Sequence, residues 1–320
     1  MEFALDLKSE IVTVSRGQEI VSTTPEGNRG LAWTSKYGFL GVNVLGRKDY
    51  IVDGMNEAGL AVEALWFPES KYPEAKDANF VVVTDFGRWL LGNFALVDEV
   101  KQALSKTQVV GAYVPELRQV PGMHVAVHDA QGNNLVIEFI GGDLKIYDNP
   151  IGVMTNRPTF DWHLTNLRNY VHLNSTDLSH QAIAGVKIDP TGSGSGWLGL
   201  PGDWTPPSRF VRVVKFVHSV PPVKNESEAV NLAEHILNTV DIPWGTIKTN
   251  EFPLINAYDY TQWVLIKDLK NKVLYFRSYR DLTLKKVDLK KLDLKRGAAT
   301  KTTPIESKSG TIVDVTEKLL

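Results

Sequence analysis

Between residues 11 and 139 the chain is a series of short apolar runs cut apart by turn residues, and this rhythm limits the folds open to it more than any other property. The runs at 11–14, 39–45, 60–65, 123–127 and 135–139 alternate in period two or are continuously apolar, as strands of a covered sheet do. Between the last two lies Asp129-Ala130-Gln131-Gly132-Asn133-Asn134, rich in turn formers, so these two strands are expected to pair as a hairpin. Helical spacing follows in three places. It covers 97–104, opening near Asp98; 210–217, with Phe210, Val213, Val214 and Val217 on one face; and 229–240, with Asn225 ahead of it as a cap. Strands then return at 260–266 and 273–279 around the turn 267–272. Strands, then helices, then strands predict an α+β protein of layered antiparallel sheets rather than regular βαβ alternation.

The 320 residues suffice for a large core, and residues 1–296 read as one domain followed by a loosely ordered Thr- and Lys-rich tail, 297–320. Net charge is 35 minus 37, or -2, with both signs scattered. No electrostatic footprint for nucleic acid or an anionic membrane results, so a small molecule is the expected partner. No apolar run reaches the length that spans a bilayer. There are no cysteines, which removes disulfides, thiolate metal sites and any cysteine nucleophile from these residues and leaves the redox compartment open.

Three segments carry the chemistry. The first runs Gly152-Val153-Met154-Thr155-Asn156-Arg157-Pro158-Thr159-Phe160-Asp161-Trp162-His163 and reads as a strand end forced outward by Pro158. Asn156 there is either a turn asparagine bonding its own backbone or an amide free to donate to an oxyanion. The second runs from Asp53-Gly54-Met55-Asn56-Glu57-Ala58-Gly59-Leu60 to Leu65-Trp66-Phe67-Pro68, where Trp66 at a strand end is either core or pocket lining. The third is Gly199-Leu200-Pro201-Gly202-Asp203-Trp204-Thr205-Pro206-Pro207-Ser208-Arg209-Phe210. Ser208 is placed to cap the helix that follows. Arg209, a cation in a first turn that prefers negative charge, fits a functional role better than a structural one.

In order and spacing these segments resemble the choloylglycine hydrolase family, the N-terminal-nucleophile amidases that include bile salt hydrolases and penicillin V acylases; the resemblance spans about residues 1–279. It implies a four-layer αββα sandwich, cleavage of an N-acyl amide by a cysteine at the mature N-terminus, no cofactor or metal, and a homotetramer. It also implies that Asn156 stabilises the oxyanion, that Arg209 lies in the catalytic pocket, and that Glu2 holds the acidic position beside the nucleophile, where the family more often has aspartate. Trp66 stands where bile salt hydrolases tend to have asparagine and penicillin V acylases tyrosine, which points to an acyl or aromatic substituent.

The family's first strand passes through an arginine into a Met-acidic-aromatic step like Met1-Glu2-Phe3, so the chain is expected to start one strand late. An internal methionine taken as the start, a deletion, or loss in a paralogue would each produce this. The chain as written is then expected to show no covalent turnover and reduced stability. A non-catalytic ligand-binding paralogue that keeps the pocket is the alternative. Localisation is left open between bacterial cytoplasm and periplasm, since any signal peptide would lie upstream of Met1.

Other motifs fail on context. Gly194 to Gly199 satisfies G-x-G-x-x-G, but no strand precedes it and Pro201 follows where a helix would open. His124 and His128, four apart on a strand, are about 13 Å apart, too far for one metal. The lysine-rich stretch 282–296 reads as a solvated edge strand or helix face.

Overall fold

The structure, a computed structural model, describes residues 1–249, 257–306, 310, 313 and 316. It divides into two compact units, Met1–Pro150 with Asp241–Leu320, and Ile151–Val240, so the span 1–296 read as one domain comprises parts of both. In chain order the first unit opens with β1 (Glu2–Phe3), β2 (Glu10–Val14), β3 (Glu19–Thr23), β4 (Arg29–Thr34), β5 (Phe39–Val44), β6 (Arg47–Asn56) and β7 (Ala61–Trp66). It continues through β8 (Phe80–Val82), α1 (Val83–Asn93), α2 (Val97–Leu104), β9 (Gln108–Val110), β10 (Met123–His128), β11 (Asn134–Ile140) and β12 (Asp143–Asp148). The second unit holds α3 (Phe160–Asn166), the hairpin of β13 (Gln181–Ile183) and β14 (Val186–Ile188), α4 (Pro206–Val217) and α5 (Glu226–Asn238). The first unit then resumes with β15 (Ile247–Lys248), β16 (Tyr258–Thr261), β17 (Trp263–Asp268), β18 (Val273–Ser278), β19 (Asp281–Asp288) and β20 (Thr302–Pro304).

An antiparallel eight-stranded sheet in the order β12-β11-β10-β7-β6-β5-β2-β20 forms the centre of the first unit. Strand β5 is buried at every position because both faces are covered. Phe39 joins a core with Phe86, Leu90 and Leu91 of α1 and Val97 and Val100 of α2, while Leu40 and Val42 join Trp263, Leu274 and Phe276 of the β17-β18-β19 sheet. Helices on sheet on sheet is the layered antiparallel plan the periodicity predicts. The 128–134 and 267–272 hairpins form as expected, and α2 matches its predicted span. Asn225 caps α5, its Oδ1 accepting from Glu228 N at 3.0 Å. Strand β19 lies at the edge of its sheet, in keeping with the lysines of 282–296.

Several expectations need correction. The run 260–266 is two strands in different sheets, broken at Gln262, whose Nε2 donates to the carbonyls of Phe3 and Leu5 and whose Oε1 accepts from Leu7 N. A polar side chain, 5% exposed, that must satisfy three backbone groups of another segment cannot stay in a straight ladder. Residues 152–155 are not the end of a strand; β12 stops at Asp148. Within the expected loose tail, Thr302–Pro304 pairs with β2 and Ile305 is buried; residues 307–309, 311–312, 314–315 and 317–320 of that segment lie outside the described residues. Helix α1 escaped the periodicity because Gly87 interrupts it. That glycine is needed where the helix crosses β6, since a Cβ there would run into the Ile51 carbonyl oxygen.

Between the stacked sheets lies a cluster of four charged side chains. Lys267 Nζ bonds both Asp53 Oδ1 and Glu63 Oε1, and His128 Nε2 is 3.2 Å from Glu63 Oε2. Asn134 Nδ2 donates to Gly132 O at 3.0 Å, which turns its Oδ1 to His128 Nδ1, so both ring nitrogens face acceptors. Burial pushes Asp53 up to about 6, with Lys267 opposing and Glu63 reinforcing the rise. Burial would also raise Glu63, but Lys267 and His128 together bring it down to about 2. Burial works against the charged forms of His128 and Lys267, yet their carboxylate partners raise both. His124, four residues earlier on the same strand, pairs with Glu138 at 3.1 Å.

Candidate active site

In the second unit the site is organised by the start of α4. Pro206 and Pro207 occupy its first positions, where a missing N–H costs nothing, and Thr205 is the N-cap residue. Ser208, expected as the cap, instead donates from Oγ to Asp203 Oδ2 at 2.7 Å, and Asp203 Oδ1 accepts from Thr205 N at 2.8 Å. Hydrogen bonds from Thr205 and then Ser208 outweigh its partial burial and hold the Asp203 carboxyl down to about 2. Arg212, 5% exposed, donates from Nη1 to the carbonyls of Pro201 at 2.6 Å and Asp203 at 3.0 Å, so the loop before α4 is tied back onto the helix.

This loop fixes Arg209. Its Nε donates to Trp204 O at 3.1 Å and its Nη2 to Asn156 Oδ1 at 2.7 Å. A guanidinium is donor-only, so the amide of Asn156 must present its oxygen to Arg209, leaving Nδ2, the donor end, directed elsewhere. Asn156 is also held at its main chain: His163 Nε2 lies 2.9 Å from Asn156 O, and the His163 ring stacks on Phe210, 4.8 Å between centroids at 28°. The two second-unit residues singled out by sequence, Asn156 and Arg209, are therefore in direct contact. His163, Asp203 and Arg212 lay within or beside the quoted segments but carried no signal that separated them from neighbouring polar residues.

The first unit carries Glu2 and Trp66. Glu2 is half-buried in β1, opposite Thr261, while the Met1 amine donates to Trp263 O at 2.7 Å. Gln262 and Trp263 thereby pin the start of the chain, where a second residue would otherwise fray into solvent. Trp66, the last residue of β7, packs edge-on against Phe3, 5.5 Å between ring centroids at 77°. Both line an apolar cavity with Met1, Tyr50, Leu117 and Met123. A lining of this kind suits the apolar part of a small ligand. Sequence missed these partners because they come from separate elements. Among the described residues no group of three or more histidine, aspartate or glutamate side chains is placed to hold a metal ion. No described helix is long and apolar enough to cross a membrane.

The family model for linear amide C-N hydrolases, choloylglycine hydrolase family, matches residues 1–311. The bile salt hydrolase/transferase of Clostridium perfringens (strain 13 / Type A) is 34% identical over 268 residues, covering 82% of this chain and 79% of that protein. The penicillin V acylase of Pectobacterium atrosepticum is 31% identical over 297 residues, covering 86% and 72%. A solved variant of the conjugated bile acid hydrolase from Clostridium perfringens superposes with a TM-score of 0.85 at 30% identity, covering 98% of this chain and 94% of that one. Matching in sequence along nearly its whole length and in fold with solved members, the chain belongs to the choloylglycine hydrolase family of linear amide C–N hydrolases.

Proposed function

We propose that the chain is the scaffold of an N-acyl amide hydrolase of the penicillin V acylase or bile salt hydrolase type, in which Asn156 is the oxyanion donor. The observation that carries this is the 2.7 Å bond from Arg209 Nη2 to Asn156 Oδ1, which fixes the direction of the amide before any substrate arrives. Losing such a donor typically costs on the order of 10²-fold or more in rate. Arg209 supplies fixed positive charge that favours a thiolate, Glu2 completes the electrostatics of the nucleophile's surroundings, and Trp66 shapes the acyl pocket.

In the family's reaction a cysteine attacks the amide carbonyl, its own α-amine, of ordinary pKa about 8, takes the thiol proton, and water resolves the acyl-enzyme. The 320 residues contain no cysteine. We infer that they bind the amide without forming an acyl-enzyme. The same observation favours a second reading, a ligand-binding paralogue that retains the pocket. The test is a panel of penicillin V, a glycine-conjugated bile salt and an N-acyl homoserine lactone, read by calorimetry and by intact-protein mass. Saturable binding of one class, weakened by Trp66→Ala and without a mass increase, is expected. An acyl adduct would refute the absence of turnover, and no binding of any class would refute the pocket assignment.

A further inference from the structure

We propose that His163 is a positioning residue for Asn156, the device that fixes where its amide sits; this rests on Asn156 being the donor. The bond from Arg209 Nη2 to Asn156 Oδ1 holds the end of the side chain and sets which way the amide faces. His163 supplies the second hold. The carbonyl of Asn156 can only accept, so the His163 nitrogen 2.9 Å away, Nε2, is the one that carries hydrogen and donates.

The ring cannot easily drift from that bond. His163 is 2% exposed, lies in the first turn of α3, where its N–H bonds Thr159 O at 3.2 Å, and is stacked on Phe210. Phe160 closes on Phe210 from the side, 6.3 Å between centroids at 79°. Phe210 directly follows Arg209 on α4. Asn156 is thus joined to one turn of one helix twice, through Arg209 to its side chain and through His163 and Phe210 to its main chain. Two holds at different atoms remove the hinge that one would leave, and donors that act on developing charge need placement within about 0.5 Å. A histidine that only filled core volume would need the stack but not the hydrogen bond.

The experiment uses the full chain and penicillin V carrying ¹³C at its side-chain amide carbonyl; without cysteine the probe stays intact, and isotope-edited infrared spectroscopy reads the bound carbonyl stretch. The wild type should shift the band to lower frequency, and Asn156→Ala should abolish that shift. His163→Phe, which keeps a ring against Phe210 but has no N–H, should lose at least half of it, with binding weakened no more than about tenfold, the worth of one hydrogen bond. His163→Gln, whose side-chain amide can donate again, should restore most of it. Should His163→Phe not fold, Phe210→Leu, which leaves the donor in place and removes the stack, should broaden and partly reverse the shift. A His163→Phe band identical to wild type overturns the positioning role while leaving Asn156 as donor. An unshifted wild-type band, a band unchanged in Asn156→Ala, or no bound probe overturns the reading on which it rests.

Discussion

Asn56, fully buried, spends its whole side chain on one turn. Its Nδ2 donates to the carbonyls of Leu91 and Phe94 at 2.8 and 2.7 Å, and its Oδ1 accepts from the amides of Ala58, Gly59 and Leu60 at 3.0, 2.9 and 3.0 Å. The motif that helps identify the family is here a structural lock joining the β6–β7 turn to the end of α1. Asn56→Asp turns both donors into acceptors facing carbonyl oxygens, so we expect a loss of about 3 kcal/mol or more in urea unfolding. A loss under about 1 kcal/mol would mean the turn holds itself. Arg209 was legible in the sequence because its type is odd for the first turn of a helix, whereas Asn156, an ordinary turn residue near Pro158, stood out only through the family resemblance. Asn56 and His163 were not legible, because their importance lies in backbone partners brought by the fold from outside the local pattern.

Elements whose two faces are covered by different layers announce themselves as apolar runs, and β5, β10 and β11 were readable for that reason. Helix α1 and the break at Gln262 were not, since both depend on what another segment requires at one position. The charged cluster linking β6, β7, β10 and β17 leads to a prediction at this scale. Asp53, raised to about 6 by burial, is more stable in the fold when protonated, so its contribution falls as pH rises from about 4 to about 6. Glu63, lowered to about 2, adds stability that is complete above about 4.5 and lost on acidification through 2. His128, raised, adds stability below about 6.5 that is lost as pH climbs through its folded value. The melting temperature of Asp53→Asn should therefore gain on wild type between pH 4 and 6 and then run parallel to it. Parallel curves across the whole range would show that Asp53 stays ionised throughout.

Over the whole molecule, residues far apart in sequence complete one sheet: β20 pairs with β2, with Glu10 opposite Pro304, and Ile305, 1% exposed, enters the core of Ile11, Leu40 and Trp263. Composition disguised this as a tail, because Thr- and Lys-rich chain reads as linker and one buried isoleucine makes no period. Ile305→Ala should cost about 2–4 kcal/mol in chemical denaturation, the usual range for such a cavity. A value near zero would mean that β20 merely rests on the sheet. The eight-stranded sheet ends at one side on a strand carrying Pro304, which has no N–H to offer, and at the other on β12, where Asp143, Lys145 and Asp148 mark the last strand with charge. Neither border of this sheet offers an incoming strand an uninterrupted apolar row to extend, so the fold protects its largest sheet from edge-to-edge pairing at both ends.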